Sequence, residues 1–153
     1  MIRTGITTNE AKQIIVRARC LSVEGSANAT LGQGGFLYGF ATGSVQFDFG
    51  ITPTRTFILQ SSGTVVLSGT YDNAQFHDYF FDWTSASSYR LYRDGVLLVS
   101  SSGGFAVAAN RVFLGDGTGG ANANGETSKF EFLQGGATGA HGATWGRLKG
   151  LYR

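Results

Sequence analysis

Hydrophobic and polar residues alternate along most of this chain, with a period of two. In KQIIVRARCL, Ile14, Val16, Ala18 and Cys20 fall on one side, while Arg17 and Arg19 fall on the other. Successive side chains of an extended strand point to opposite faces, so the run reads as a strand with one buried face. GGFLYGFATG places Phe36, Tyr38 and Phe40 together, and SVQFDFG places Val45, Phe47 and Phe49 inward with Gln46 and Asp48 outward. TRTFILQSSGTVVLSG divides into two strands at a turn over Ser61 to Gly63. FHDYFFDWT is the strongest strand, with Tyr79, Phe81 and Trp83 on one face and Asp78 and Asp82 on the other.

SYRLYRDGVLLVS predicts a hairpin, because Asp94-Gly95 sits between two alternating runs and suits the positive φ angles of a type I′ turn. FAVAA, RVFLG and TSKFEFL follow as further short strands. The best helical stretch is TNEAKQII, which Thr8 could cap, but the strand that follows competes with it. Turn signals about every ten residues between short strands predict an all-β fold, a sandwich or barrel.

Composition narrows the picture. The 153 residues fit one domain, with 24 Gly, 13% aromatic and only 14% charged residues. Such a chain has the apolar surface to build a core, and it lacks the charge-rich, aromatic-poor profile of disorder. The net charge is +2 and no basic stripe is interleaved with aromatics, which argues against nucleic acid as a partner. Cys20 is alone, so it forms no internal disulfide and no cysteine metal site, and reads as a small buried residue. No window is apolar enough for a membrane span. The opening MIRTGITTNEAK lacks the apolar stretch of a secretory signal peptide. Either export does not use such a signal, or a leader or a larger parent chain precedes it. The sandwich is expected over residues 1–134, and residues 135–153 read as a Gly-rich linker with a C-terminal strand or anchor.

The spacing Gly115-x-Gly117-x-x-Gly120 in VFLGDGTGGANANGE is that of a dinucleotide-binding loop. That chemistry needs a helix after the loop, whose N-terminus holds the pyrophosphate. Here Ala121, Asn122, Ala123, Asn124 and Gly125 lead into another strand. The stretch therefore reads as a long connection between strands at one end of the sandwich.

Three segments in order, FHDYFFDW, SYRLYRDGVLLVS and RVFLGDGTGGANANGETSKFEF, resemble a concanavalin A-like jelly roll of the laminin-G-like kind. The resemblance runs from about Lys12 to Leu133. It implies an antiparallel two-sheet β-sandwich with one concave sheet, a fold shared by lectins, carbohydrate-binding modules, glucanases and adhesive modules. Fold alone does not choose among these.

Retaining glucanases need two carboxylates about 5–5.5 Å apart. None of the ten acids here forms Glu-x-Asp-x-Glu, and Asp78 and Asp82 on one strand face are about 13 Å apart at strand rise. They read as solvated outward positions, and the chain as a non-enzyme. His77 and His141 lack the spacing of a zinc pair, and no Ser, His and acid suggest a triad. Calcium is the one cofactor the loop suggests. Asp116, Asn122, Asn124 and Glu126 offer side-chain oxygens there, with Asp116, Asn124 and Glu126 as the expected ligands. The resemblance also implies calcium at such a rim.

Sugar binding needs an exposed ring beside hydrogen-bonding side chains. Tyr38, Arg90, Tyr92, Asn122 and Asn124 are the candidate ligand-binding residues, whereas Trp83 shares the face of Tyr79 and Phe81 and belongs to the core. In the terminal ATWGRLKGLYR, Trp145, Leu148, Leu151 and Tyr152 could dock on a neighbouring subunit.

Three function classes follow. The first is a non-enzymatic carbohydrate-binding or adhesion module, with glycans or a protein surface as partner. The second is a structural, self-assembling subunit of a virion, fibre or extracellular filament, which would be a homo-oligomer. The third is a polysaccharide hydrolase or lyase. An extracellular or virion-surface setting suits the first two.

Overall fold

A computed structural model describes residues 5–8, 10–25, 35–59, 65–84, 88–116 and 121–135. In chain order the strands are β1 (Lys12–Gly25), β2 (Phe36–Thr42), β3 (Val45–Thr52), β4 (Arg55–Leu59), β5 (Val65–Thr70) and β6 (His77–Thr84). They continue as β7 (Ser88–Arg93), β8 (Val96–Ser102), β9 (Phe105–Ala106), β10 (Asn110–Asp116) and β11 (Ala121–Gln134). The described residues contain no helix, and hence none long and apolar enough to cross a membrane. The helical stretch yields to the strand alternative over residues 12–15, since β1 starts at Lys12.

All strand pairs are antiparallel. One sheet has the order β11-β1-β6-β7-β8, and the other runs β10-β2-β3-β4-β5 with the short β9 beside β3. The two sheets pack into a β-sandwich, as the period of two predicts. Between them lie Ile14, Val16, Ala18 and Cys20 from β1, Tyr38 and Phe40 from β2, and Phe47 and Phe49 from β3. Tyr79, Phe81 and Trp83 complete this aromatic layer from β6. Phe81 lies 5.8 Å from Phe49 and 5.4 Å from Tyr89, the ring spacing at which aromatic pairs attract beyond their burial. Lys12 closes one end of the core. Its Nζ donates to the Glu10 carbonyl at 2.6 Å and lies 4.3 Å from the Trp83 ring.

Asn73 pins the two sheets at one end. Its buried amide donates to the carbonyls of Thr52 (2.9 Å) and Arg55 (2.8 Å), and its Oδ1 accepts from the Tyr79 hydroxyl at 2.8 Å. Its backbone carbonyl also accepts from Cys20 N–H. The Asp94-Gly95 turn has φ of 50° and 84°, the two positive angles its sequence predicts.

Two expectations need correction. Gln46 and Asp48 do alternate away from the intersheet core, but neither meets solvent. Asp48 is fully buried and Gln46 nearly so, with Gln46 Nε2 donating to Asp48 Oδ2 at 2.8 Å. Bulky neighbours close over this face: the Phe57 ring lies where a Cβ on Gly50 would sit, and the Phe113 ring crowds Gly39. The second correction concerns 121–126. These residues are not a loop but the first half of the long strand β11, paired with Gly25 through Arg19 of β1. The turn at 61–63, residues 117–120 and nearly all of 135–153 lie outside the described residues, and with them His141, Trp145, Leu148, Leu151 and Tyr152.

Candidate functional site

The outer face of the five-stranded sheet carries the one candidate surface assembled from several of the expected residues. Residues directly opposite each other in an antiparallel pair share a face. Phe80 of β6 stands opposite Ile15 of β1, which is buried, on one side and Tyr92 of β7 on the other. Tyr92 in turn stands opposite Leu97 of β8, which is 49% exposed. The Phe80 and Tyr92 rings are 5.8 Å apart, tilted by 33°, and both are partly exposed.

One pleat further along the strands lies a polar row. Asp82, expected as a solvated position, is instead buried: opposite Gln13 and Arg90, it accepts from both, at 3.3 Å from Gln13 Nε2 and 2.6 Å from Arg90 Nη2, and these two side chains cover it. The Asp82 hydrogen bond, more than any other influence, raises the Arg90 pKa further and keeps its guanidinium charged. On the other flank Arg17 Nη1 contacts both Asp78 oxygens at 3.2 Å. An aromatic pair is thus framed by fixed donors and acceptors on both sides.

The hairpin that presents Tyr92 and Arg90 is braced from its turn. Asp94 Oδ1 accepts from Asp78 N–H at 3.0 Å, and Asp94 Oδ2 lies 2.6 Å from His77 Nδ1. Arg93 Nη2 donates to His77 Nε2 at 2.6 Å and to the Asp72 carbonyl at 2.7 Å. His77 Nε2 also lies 2.8 Å from the Asp72 carbonyl, so the ring bridges Asp94 on one side and Arg93 and Asp72 on the other. Burial alone would raise the Asp94 carboxyl, but the Asp78 N–H, His77 and the Arg93 cation outweigh it and hold it below its ordinary value. His77 is thereby a structural brace.

The expected site residues therefore separate. Arg90 and Tyr92 come together. Tyr38 does not join them: it is fully buried between the sheets, its hydroxyl 2.8 Å from Thr127 Oγ1 and its ring 5.3 Å from Phe49. Its alternation with Phe36 and Phe40 decides this, since the same face that predicts a core strand removes the ring from solvent. Asn122 and Asn124 are exposed on the outer face of β11, opposite Glu24 and Ser22. They share the sheet face with Tyr92 but not its neighbourhood, because Ser22 is seven residues along β1 from Ile15, about 23 Å at strand rise.

Of the expected calcium ligands, Asp116 ends β10 in the other sheet, and Glu126 pairs with Arg19 at 2.7 Å. A cation there would have to draw Glu126 away from Arg19. Among the described residues no three His, Cys, Asp or Glu side chains cluster as metal ligands would. Phe80 and Gln13 are site residues that the sequence reading passed over. Their signal was present: the alternation that turns Tyr79 and Phe81 inward leaves Phe80 outward between two aspartates, an apolar ring with no core to enter.

Neither the protein-family models nor the curated proteins contain a match to this chain. Among solved structures it is similar to the binding domain of Paraclostridial Mosquitocidal Protein 1, with 10% identity and a TM-score of 0.49 over 88% of this chain. The chain spans 37% of the length of that solved chain.

Proposed function

We propose that this protein is a non-enzymatic carbohydrate-binding module whose ligand sits on the outer face of the five-stranded sheet. The Phe80–Tyr92 pair, partly open and framed by Gln13, Asp82 and Arg90, carries the reading. A pyranose has an apolar C–H face and a rim of hydroxyls. It can lay that face on a ring while its rim meets a carboxylate that accepts and a guanidinium that donates. This balance of apolar platform and few polar groups is what small-ligand sites provide. The resemblance of FHDYFFDW and SYRLYRDGVLLVS to concanavalin A-like modules supports the same assignment, since those two segments are β6 and the β7–β8 hairpin that build the face.

Catalysis has no comparable support. Asp78 and Asp82 are each engaged by an arginine, at 3.2 and 2.6 Å. Their spacing along β6, about 13 Å at strand rise, exceeds what either glycosidase geometry uses. In this reading the module works where glycans are displayed, at an extracellular or virion surface. A glycan array on the whole chain tests it, followed by calorimetry of the best binder against Tyr92→Ala. Losing the ring should weaken binding at least about tenfold, the scale of an aromatic anchor. An array with no signal from folded protein sinks the reading.

A further inference from the structure

The same face says what kind of glycan it takes. Resting on the reading above, we infer that the ligand is an uncharged, linear oligosaccharide laid across the strands rather than along them.

The direction comes from register. Along β6 the outward residues are Asp78, Phe80 and Asp82, so a chain following the strand would pass from charge to ring to charge within three positions. Across the strands the path stays apolar and open from Phe80 through Tyr92 to Leu97, with the buried Ile15 beneath its β1 end. Those three open positions lie on three adjacent strands, about 10 Å of platform at the usual strand separation. The polar row Gln13–Asp82–Arg90 runs parallel to it. A linear saccharide placed across the strands would keep sugar faces on the rings and hydroxyls on that row along its length. Placed along the strands, it would meet one ring only.

The charge state comes from how the cations are matched. Arg90 is matched by Asp82, Arg17 by Asp78 and Arg19 by Glu126, at 2.6, 3.2 and 2.7 Å. Lys129 and Glu131 add a fourth pair at 3.4 Å. A uronate or sulfate group would have to displace a carboxylate from its arginine and then lie beside it. A hydroxyl does neither: it donates to the aspartate and accepts from the arginine together, leaving the pair intact.

The test titrates the whole chain by calorimetry with neutral cello-, xylo- and manno-oligosaccharides from monosaccharide to hexasaccharide. Oligogalacturonates and heparin fragments of matching length serve as charged probes, each series at low and high salt. At least one neutral series should gain about tenfold in affinity between the disaccharide and the longer members, as successive rings are engaged, and change less than about twofold with salt. Gln13→Ala, at the far end of the polar row from Arg90, should weaken only the longer members, by about threefold, whereas Tyr92→Ala weakens every length. Tighter, salt-sensitive binding of the charged probes overturns this inference and leaves carbohydrate binding standing. Affinity that does not grow with length overturns the placement across the strands. Silence from both series removes the carbohydrate reading and this inference with it.

Discussion

The two outer faces of the sandwich are built by the same alternation and end in opposite states. On the five-stranded sheet the outward charges form cross-strand pairs around a partly open aromatic pair, and only Ile15 and Asp82 of its central outward positions are buried. On the other sheet the outward residues Leu37, Ala41, Gln46, Asp48 and Phe57 are all buried. Alternation fixes the direction in which a side chain leaves a sheet. Whether solvent waits there depends on the neighbours, and here glycines at positions 39 and 50 let large rings settle over the second face. One face keeps paired charges such as Arg17–Asp78 and Arg19–Glu126 partly exposed, while the other holds a carboxylate in an apolar setting.

The most forceful way to break this comparison is to titrate it. Burial pushes the Asp48 carboxyl up to about 7, against the opposing hydrogen bonds from Gln46 and the Leu59 backbone, and its Oδ1 has no hydrogen-bond partner. The unfolded chain gives up this proton near 3.8, whereas the folded chain keeps it to about pH 7. Between those values unfolding releases a proton, so stability is full below about pH 4 and falls as pH rises to about 7. The loss amounts to about 4 kcal/mol, at 1.36 kcal/mol per pKa unit. Asp48→Asn keeps the shape without the charge. Chemical denaturation should show the variant more stable than the parent above pH 7, with most of this pH slope gone. An unchanged slope would mean that Asp48 is hydrated, and the contrast between the faces would fail.

The comparison also presupposes that the sheets hold a fixed orientation, which Asn73 provides. Asn73→Ala would leave the part-buried carbonyls of Thr52 and Arg55 without this donor and the buried Tyr79 hydroxyl without this acceptor. Buried groups stripped of partners cost about 1–3 kcal/mol each, so a loss of about 3 kcal/mol in urea unfolding is expected. A loss below about 1 kcal/mol would show that water replaces the amide readily.

Much of this was legible in the residues, and the failures have physical causes. Ile14 to Cys20, Tyr79 to Trp83 and the Asp94-Gly95 turn follow local rules that tertiary context reinforces. Residues 121–126 did not, because Asn and Gly carry turn chemistry, and nothing local announces that β1 is long enough to pair with them to its end. Tyr92 and Arg90 could be found as a ring beside a cation. Phe80 could not be matched to Tyr92 without the register between β6 and β7, which joins residues twelve apart in sequence. Asp48 shows the reverse limit, since its burial depends on rings contributed by β4 and β10.

On the open face, binding and stability should come apart. Tyr92→Ala removes one member of a cross-strand aromatic pair that is partly exposed. It should cost about 1 kcal/mol or less in stability while removing the platform a ligand needs. The smallest effect belongs to the Arg17–Asp78 pair, whose side chains are 47% and 29% exposed. Two exposed charges in water gain little and give up side-chain freedom to meet, so Arg17→Ala should shift stability by about 0.5 kcal/mol or less, and less still in high salt. Its partner also receives no hydrogen bond in the Asp94 brace, because Asp78 contributes there through its backbone N–H rather than its carboxylate. If denaturation instead gave a loss above about 2 kcal/mol, Arg17 would be acting as a buried ion does. The five-stranded face would then be as closed as the one that holds Asp48, and no ligand could reach it.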